Sequence, residues 1–386
     1  MGGDNSSNER HPGAPFDLVQ NARRIVIKVG SSLLVDASSG GIRQSWLAGL
    51  AEDIANLHRE GRKVAVISSG AVALGRRRLS LKQSSHLASK QAAAAAGQPL
   101  LMQAWDAACS QFGLTTAQLL LTLDDTESRR RWLNARATME VLLGQETLPI
   151  INENDTVATE ELRYGDNDRL SARVAQMIRA EVLILLSDVD GLYTGDPAID
   201  PAARHVPEIG AITAEVESWA AGSSAAGFGT GGMRTKIVAA RIARSFGCAT
   251  VIMSGRNERP LARLAAGAER ATIIEAAGTP ARAYKQWIAG TLVPAGSVTV
   301  DQGARQALNA GKSLLPAGAK LVEGDFERGA CLRILDPDGH EVARGITAYT
   351  AAEMRLISGG SSREIESRLG YRGPDELIHR NDLVLM

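Results

Sequence analysis

The sequence predicts an α/β protein whose mostly parallel central sheet is covered by helices on both faces, followed by a small, mostly β domain. Three observations predict this fold class. Short apolar runs rich in β-branched residues alternate with helical patterns over residues 24–253, which is the order of parallel βαβ units. Beyond about residue 281 the apolar residues recur with a shorter period, typical of strands and hairpins. A chain of 386 residues is also long for one core, so two domains are expected.

The charge balance gives no reason to expect nucleic acid or an anionic membrane as the main partner. Lysine and arginine together number 43, as do aspartate and glutamate, so the formal net charge is zero. No apolar run approaches the roughly 18 residues that a membrane span needs, and the N-terminus lacks the apolar core of a signal peptide. We therefore expect a cytoplasmic protein.

The cysteines and histidines suggest no metal site. Cys109, Cys248 and Cys331 lie far apart and form no metal-type pair, so each is expected to be a buried, reduced thiol. The six histidines are similarly scattered. Their spacing predicts neither a zinc site nor a Ser-His-Asp triad, although a triad can be assembled from distant residues.

The elements follow in order from the apolar periodicity. Residues 1–17 are polar, lack periodicity and are expected to form a disordered leader. The later strands are short apolar runs, and the helices show apolar residues three and four positions apart. The alanine-rich helix is expected to pack closely against a neighbour. The predicted strands are residues 24–29, 63–69, 115–122, 148–152, 181–186 and 249–253, the last of which is expected to close the pattern of the first domain. The predicted helices are residues 42–57, 89–112, 127–143 and 167–180, and one that begins near Met233.

Two polar clusters lie close together between residues 148 and 170 and mark a candidate site. A strand-like run stops at Asn152-Glu153-Asn154-Asp155, and Gly165-Asp166-Asn167-Asp168 opens the next helix. Loops at the carboxyl ends of parallel strands are where α/β proteins bind ligands. Each cluster alone could equally be a turn or a helix cap, because Asn, Asp and Gly are the usual residues of both. Together they contain far more such residues than turns require.

Two lysines and a glycine-rich loop suggest a phosphate site. Lys28 lies at the end of the first strand, and Lys236 lies one turn into the helix that follows the glycine-rich residues 222–232. A glycine-rich entry to a helix N-terminus can bind phosphate through backbone amides. The loop matches neither the Walker motif nor the dinucleotide fingerprint, so taken alone it could equally be a flexible linker. Lys28 could likewise extend to solvent, and Asp188 could be a cap.

Residues 287–295 contain Gly and Pro and mark a change in the spacing of apolar residues, so they are expected to separate the two predicted domains. Further on, Asp336-Pro337-Asp338-Gly339 lies between two β-like runs and predicts a hairpin turn. The expected organisation is a leader at residues 1–17, a first domain at residues 18–285 and a second domain of ordinary module size at residues 294–386.

This inventory suits phosphoryl transfer, in which a protein positions two anionic reactants and neutralises their charge. Ten segments within residues 20–386 then carry a specific resemblance. They are, in order, IVIKVGSSLL, VISSGAVALGRRRL, LNARATMEVLL, PIINENDTVATEELRYGDNDRLSA, LLSDVDGLYTGDP, GFGTGGMRTKIVAARIA, VTVDQGARQAL, SLLPAG, FERGACLRI and ARGITAYTAAEM. The first six resemble the glutamate 5-kinase family of the amino acid kinase superfamily, and the last four resemble its appended PUA domain. NENDTVA and YGDNDRLSA point to the glutamate enzymes rather than to other members.

The resemblance implies an amino acid kinase fold of three αβα layers with a PUA domain. It also implies ATP-dependent phosphorylation of the γ-carboxylate of glutamate, the first step toward proline. Lys28 and Lys236 would act on the transferring phosphoryl group, and Asp168 would orient the two lysines. Asp166 would share that work or help to organise the metal. Mg²⁺ would be carried mainly by the ATP phosphates, with no protein ligands assigned.

The resemblance also assigns binding residues. Asp155 would pair with the substrate ammonium, while hydroxyl and amide groups would anchor carboxylates. Ser187 stands where the family has Thr, and it keeps the hydroxyl. The implied glutamate-binding residues are Ser69, Asp155 and Asn167. The implied ATP-binding residues are Lys28, Ser187, Asp188, Thr230, Gly231, Gly232, Met233, Arg234, Thr235 and Lys236.

Partners and alternatives complete the expectations. The resemblance implies proline as a feedback inhibitor, a glutamyl phosphate reductase as a possible partner, and a homo-oligomer. PUA domains also occur in RNA-modifying enzymes, so RNA binding by the tail is an alternative, although the balanced charge makes nucleic acid an unexpected partner. A related kinase acting on acetylglutamate, aspartate or a nucleotide would share the lysine and glycine elements, and only substrate profiling would separate it.

Overall fold

The computed structural model describes residues 15–82, 86–157, 166–222, 232–290 and 292–386 and divides the chain into two compact units. Within these ranges the side chains of Pro15, Phe16 and Asp166 are not described. The first unit runs to Thr126 and resumes from Ala135 to Pro280, and the second combines Glu127–Asn134 with Ala281–Met386. Of the expected leader, residues 1–14 lie outside the described ranges, whereas residues 15–17 begin a helix.

The elements up to Pro280 alternate strand and helix over most of their length, as the sequence predicts. The strands are β1 (Arg24–Val29), β2 (Lys63–Ser68), β3 (Thr116–Leu121), β4 (Leu148–Glu153), β5 (Val182–Ser187), β6 (Leu192–Tyr193), β7 (His205–Val206), β8 (Glu208–Ile209), β9 (Ala249–Ser254) and β10 (Ala271–Ile274). The helices are α1 (Pro15–Asn21), α2 (Ser31–Leu34), α3 (Gln44–Arg59), α4 (Ala71–Arg78), α5 (Leu87–Ser110), α6 (Leu123–Glu127), α7 (Arg129–Gly144), α8 (Asp166–Met177), α9 (Ala214–Gly222), α10 (Met233–Ser245) and α11 (Pro260–Ala265).

The main sheet has eight strands in the order β3-β4-β2-β1-β5-β9-β10-β8. All neighbours are parallel except β9 and β10, which confirms the predicted α/β class with a mostly parallel sheet. Every residue of β5 is buried, as expected for a central strand covered on both faces.

Alternation along β1 shows how the two faces are used. Ile25, Ile27 and Val29 pack into one core together with residues of α3 and α5. Successive side chains of a strand point to opposite faces, so Val26 and Lys28 point to the other side of the sheet. Helix α8 packs against β1 and β5, and α10 packs against α8. Lys28 is therefore directed to the layer that contains α8 and α10.

One expectation about the sheet is wrong. The strand predicted at residues 249–253 does not close the pattern, because β10 pairs with it in antiparallel fashion and β8 then pairs with β10. β8 has two residues and β10 has four, so neither carries a run long enough to show a period. Their positions in the sheet are set by hydrogen bonding to neighbouring strands and could not be predicted from the local sequence pattern.

The second unit contains a five-stranded sheet in the order β12-β11-β13-β14-β15. The turn at residues 336–339 joins β13 to β14 in an antiparallel hairpin, as predicted. Residues 287–290, expected at the change between domains, are the end of a helix. The strands are β11 (Gly296–Val300), β12 (Ala319–Gly324), β13 (Cys331–Leu335), β14 (Glu341–Ile346) and β15 (Leu383–Leu385), and the helices are α12 (Pro280–Gly290), α13 (Gln302–Asn309), α14 (Ala351–Ile357) and α15 (Ile365–Leu369). Within the described ranges, no helix is both long and apolar enough to cross a membrane.

Helices α4 and α5 approach so closely that two glycines are required between them. A Cβ atom on Gly97 would overlap the carbonyl oxygen of Ala71, and one on Gly75 would overlap the carbonyl oxygen of Ala93. The close packing expected of the alanine-rich segment is thus confirmed. Helix α5 is thereby fixed against α4, whose N-cap Gly70 directly follows Ser69.

Replacing Gly97 by Ala is expected to destabilise the chain by about 1 to 3 kcal/mol, because the added methyl group overpacks the contact with α4. Helix propensity alone predicts the opposite sign, a gain of about 1 kcal/mol. Gly144→Ala at the end of α7 is the control, since a Cβ there meets no atom within 4 Å among the described residues outside its own helix turn. Urea unfolding midpoints measure both changes. A Gly97→Ala chain as stable as the wild type would contradict the close contact.

Candidate active site

Four neighbouring parallel strands bring polar side chains to one edge of the sheet. In the order β4-β2-β1-β5, these strands end at or next to Asn152, Ser69, Lys28 and Ser187. Because the strands are parallel, their carboxyl ends lie at the same edge, where α/β proteins bind ligands. The distant segments singled out in the sequence therefore meet here.

One buried carboxylate holds both candidate catalytic lysines. Asp168 in α8 is fully buried, and its Oδ1 lies 2.7 Å from the Nζ of Lys28. Its Oδ2 lies 3.5 Å from the Nζ of Lys236 in α10. Lys28 and Lys236 are themselves 8% and 4% exposed, so water screens these charges little. The expected grouping of Lys28, Lys236 and Asp168 is present in the structure.

The pKa values of this cluster reflect burial opposed by ion pairing. Burial raises the pKa of Asp168, but the charges of Lys28 and Lys236 and two hydrogen bonds outweigh it, so the net pKa lies below the ordinary value. Burial lowers the pKa of Lys236, and the charge of Lys28 adds to that effect. The charges of Asp168 and Asp188 oppose the fall without cancelling it.

The start of α10 contains five of the expected ATP-binding residues, which are Gly232, Met233, Arg234, Thr235 and Lys236. Thr235 donates a hydrogen bond from Oγ1 to Asp168 Oδ2 at 2.7 Å, which places it in the charged cluster. Gly232 is the N-cap, and a Cβ there would meet no atom of the described, non-neighbouring residues within 4 Å. Met233 is buried and Arg234 is exposed. Thr230 and Gly231 lie outside the described residues, as does the side chain of Asp166.

The end of β5 lies beside the same cluster. Ser187 is buried and donates a hydrogen bond from Oγ to Asp188 Oδ1 at 3.0 Å. Asp188 is exposed, and its charge opposes the fall in the pKa of Lys236. The end of β5 thus brings the charge of Asp188 within electrostatic range of Lys236.

A chain of hydrogen bonds includes two of the expected glutamate-binding residues, Ser69 and Asn167. Asn167 donates from Nδ2 to Ser69 Oγ at 2.7 Å and to Asn152 Oδ1 at 3.1 Å. Asn152 in turn donates from Nδ2 to Gln98 Oε1 at 2.9 Å. The sequence placed Asn152 within a polar cluster without giving it a role, and it gave no signal for Gln98, a polar residue on an alanine-rich helix.

Asp155 lies on a cavity that adjoins this chain. The cavity has a volume of about 770 Å³ and is bounded by α5, β3 and the residues that follow β4. Gln98 lies on its wall together with Asp155, so the hydrogen-bonded chain reaches the cavity. The structure thus divides the expected site into a charged cluster around Asp168 and a polar side that leads to Asp155.

Replacing Asp168 by Asn is expected to destabilise the chain by about 3 to 5 kcal/mol, because it leaves buried lysine charges uncompensated. Since folding lowers the pKa of Asp168, its stabilisation is complete above the unfolded pKa of about 3.9 and is lost as the pH falls through the folded value. Urea unfolding should therefore show a stability gap between the two chains that is full at neutral pH and narrows below about pH 4.

The exposed Asp325, replaced by Asn, is the control for this comparison, and a change within about 0.5 kcal/mol is expected there. A gap that stayed constant as the pH fell from about 5 to about 3, across the unfolded pKa, would show that Asp168 does not stabilise the fold as a carboxylate.

Comparisons with known proteins give the family. Residues 23–254 match the amino acid kinase family, and residues 296–369 match the PUA domain. The chain is 58% identical over 367 residues to a glutamate 5-kinase of Caulobacter vibrioides, covering 94% of this chain and 97% of that protein. It is 52% identical to the glutamate 5-kinase of Paramagnetospirillum magneticum and 53% identical to that of a Bradyrhizobium species, covering 94% and 95% of this chain and 98% and 97% of those proteins. The resemblance noted in the sequence is thereby confirmed: this chain belongs to the glutamate 5-kinase family, with an amino acid kinase domain followed by a PUA domain.

Proposed function

We propose that this protein transfers the γ-phosphoryl group of ATP to the γ-carboxylate of glutamate, forming glutamyl 5-phosphate. The observation that carries the proposal is the pair of buried lysines held by Asp168 at the carboxyl edge of the sheet. Two cations and one buried anion leave an excess of positive charge where two anionic reactants must meet. The names of the relatives supply the substrate.

The chemistry requires no general base. A glutamate carboxylate with a pKa near 4.3 is already ionised at neutral pH and can attack phosphorus directly. The obstacle is repulsion between the carboxylate and the triphosphate, so the main tasks are positioning and charge neutralisation. Lys28 and Lys236 perform the second task, and Asp168 keeps both ammonium groups in place.

The polar side of the site binds glutamate. Ser69 and Asn167 lie next to the charged cluster, because Asn167 and Asp168 are consecutive residues of α8. They anchor a substrate carboxylate, and Asp155 on the cavity wall pairs with the ammonium group. A glutamate bound in this way presents its γ-carboxylate toward the lysines.

Mg²⁺ enters with ATP. The oxygens of Asp168 already face Lys28, Lys236 and Thr235, so this carboxylate is not available as a metal ligand. Mg²⁺ commonly keeps several waters and binds substrate phosphates with few protein carboxylates. The ATP phosphates would therefore carry the ion, and Asp188, whose charge acts on Lys236, would be one carboxylate close to it. Bound there, the ion would neutralise phosphate charge.

The remaining expectations are part of the proposal. The protein works in the cytoplasm, and its three free, buried cysteines suit a reducing compartment. Proline is its feedback inhibitor, its assembly is a homo-oligomer, and a glutamyl phosphate reductase consumes the labile acyl phosphate.

The direct test is ATP-dependent trapping of an acyl phosphate by hydroxylamine. The purified chain with ATP, Mg²⁺, glutamate and hydroxylamine should form glutamyl hydroxamate. Acetylglutamate, aspartate and nucleoside monophosphates serve as competing acceptors. Faster phosphorylation of any of these than of glutamate would overturn the proposal.

Lys236→Met should lower kcat far more than it raises the KM for glutamate, because a positive charge is needed most where negative charge develops during transfer. Loss of one preorganised donor costs about 3 to 4 kcal/mol, a rate factor of a hundred or more. The exposed Lys82, replaced by Met, is the control and should keep full activity. An unchanged kcat in Lys236→Met would remove this residue from the mechanism.

Asp155→Asn should act chiefly on glutamate, because it removes the charge paired with the substrate ammonium and keeps the shape. We expect a higher KM for glutamate and a nearly unchanged KM for ATP, measured by hydroxamate formation. An effect confined to ATP would show that the cavity beside Asp155 does not receive glutamate.

A further inference from the structure

The chain of hydrogen bonds from Gln98 to Ser69 has a direction, and that direction decides what Ser69 can offer a ligand. Each amide in the chain has one accepting oxygen and one donating nitrogen. Gln98 presents Oε1 to Asn152, so Asn152 presents its own oxygen to Asn167. Asn167 then uses Nδ2 toward both Asn152 and Ser69. Ser69 accepts this bond, and its own proton stays free to donate.

The reverse direction would remove that donor. If Gln98 presented its nitrogen, Asn152 and Asn167 would both have to turn over to keep their bonds. The oxygen of Asn167 would then face Ser69 Oγ. The Ser69 hydroxyl would donate its proton to that oxygen and could not donate it to a ligand. Ser69 would offer an incoming anion only lone pairs, which repel it.

Helix α5 fixes the position of Gln98, the first residue of this chain of hydrogen bonds. Helix α5 is pressed against α4 at Gly97, the residue next to Gln98, so little freedom is left for this turn. Seven residues further along α5, Trp105 donates from Nε1 to Ser68 Oγ at 2.8 Å, next to Ser69. Asn152 is 3% exposed, so turning it over without a partner would leave buried polar atoms unsatisfied.

We propose that Gln98 is a positioning residue that fixes the direction of this amide chain and so keeps the Ser69 hydroxyl as a donor to a carboxylate of the substrate. This inference rests on the proposed function, since it concerns how the same site recognises glutamate. Gln98 acts through Asn152 and Asn167 and touches no reacting atom.

Three substitutions of Gln98 distinguish the effect of hydrogen-bond direction from the effect of a charge introduced at this position. Glu can only accept, Met can do neither, and Lys can only donate. Gln98→Glu preserves the observed direction and should keep the KM for glutamate within about threefold of the wild type, whereas Gln98→Met should raise it about tenfold or more. Gln98→Lys reverses the direction of the hydrogen bonds and should raise the KM for glutamate at least as much as Gln98→Met does. The kcat and the KM for ATP should stay within about threefold throughout.

The effect of charge alone predicts the opposite order, with a higher KM for glutamate in the Glu variant than in the Lys variant. A new carboxylate on the cavity wall repels anionic glutamate, and a new ammonium group attracts it. Gln103→Glu and Gln103→Lys are the matched controls, because Gln103 is exposed on the same helix and makes no hydrogen bond within the described residues. They measure the effect of charge without altering the amide chain.

A second measurement tests whether Gln98 acts through Ser69. In a Ser69→Ala background the hydroxyl donor is absent, so Gln98→Met should raise the KM for glutamate by less than about twofold further. A full additional effect would overturn the proposal, as would a Lys variant that binds glutamate better than the Glu variant. The Glu and Lys comparison decides the matter even if the Met variant does not fold. A wild-type chain that forms no glutamyl hydroxamate would instead refute the proposed function, and with it the inference.

Discussion

The ion pairs of Asp168 are the interaction on which the candidate site depends. A carboxylate without exposure to water costs several kcal/mol to desolvate, and only strong compensation keeps it ionised. Here two lysines provide that compensation, which is why the pKa of Asp168 falls despite burial. The same pairing limits the fall in the pKa of Lys236, a buried ammonium that burial alone would tend to neutralise. Each of the three buried charges is stabilised by its neighbours of opposite sign. Two lysines and one carboxylate together leave a net charge of one positive unit.

The beginning of α8 connects the two sides of the site. Asn167 and Asp168 are consecutive, and consecutive side chains of a helix point about 100° apart. Asp168 points to the lysines of β1 and α10, whereas Asn167 points to Ser69 and Asn152. A single turn of helix therefore fixes where charge is neutralised relative to where a carboxylate can be held. Phosphoryl transfer needs this fixed spacing more than it needs a reactive side chain.

Much of this arrangement could be predicted from the sequence. The six-residue apolar runs and the periodic helical segments were predicted to within a few residues of their observed bounds. Lys28, Lys236, Asp168 and Asn167 could also be recognised as polar residues at or near the ends of strands and helices. Pairing could not be read in the same way. β8 and β10 are too short to carry a pattern, and their pairing partners lie far away in the chain. Gln98 shows the same limit, because a glutamine on an alanine-rich helix has meaning only once the end of β4 lies against it.

The most direct test of the central claim is a crystal structure of this chain with glutamate, Mg²⁺ and an ATP analogue that cannot transfer its γ-phosphoryl group. The distances to measure run from the Nζ atoms of Lys28 and Lys236 to the γ-phosphoryl oxygens. Both ammonium groups should lie within hydrogen-bond distance of those oxygens, about 3 Å, while Asp168 still contacts both lysines. A γ-phosphoryl group bound more than about 6 Å from either lysine, with both lysines still on Asp168, would show that the cluster stabilises the fold and takes no part in transfer.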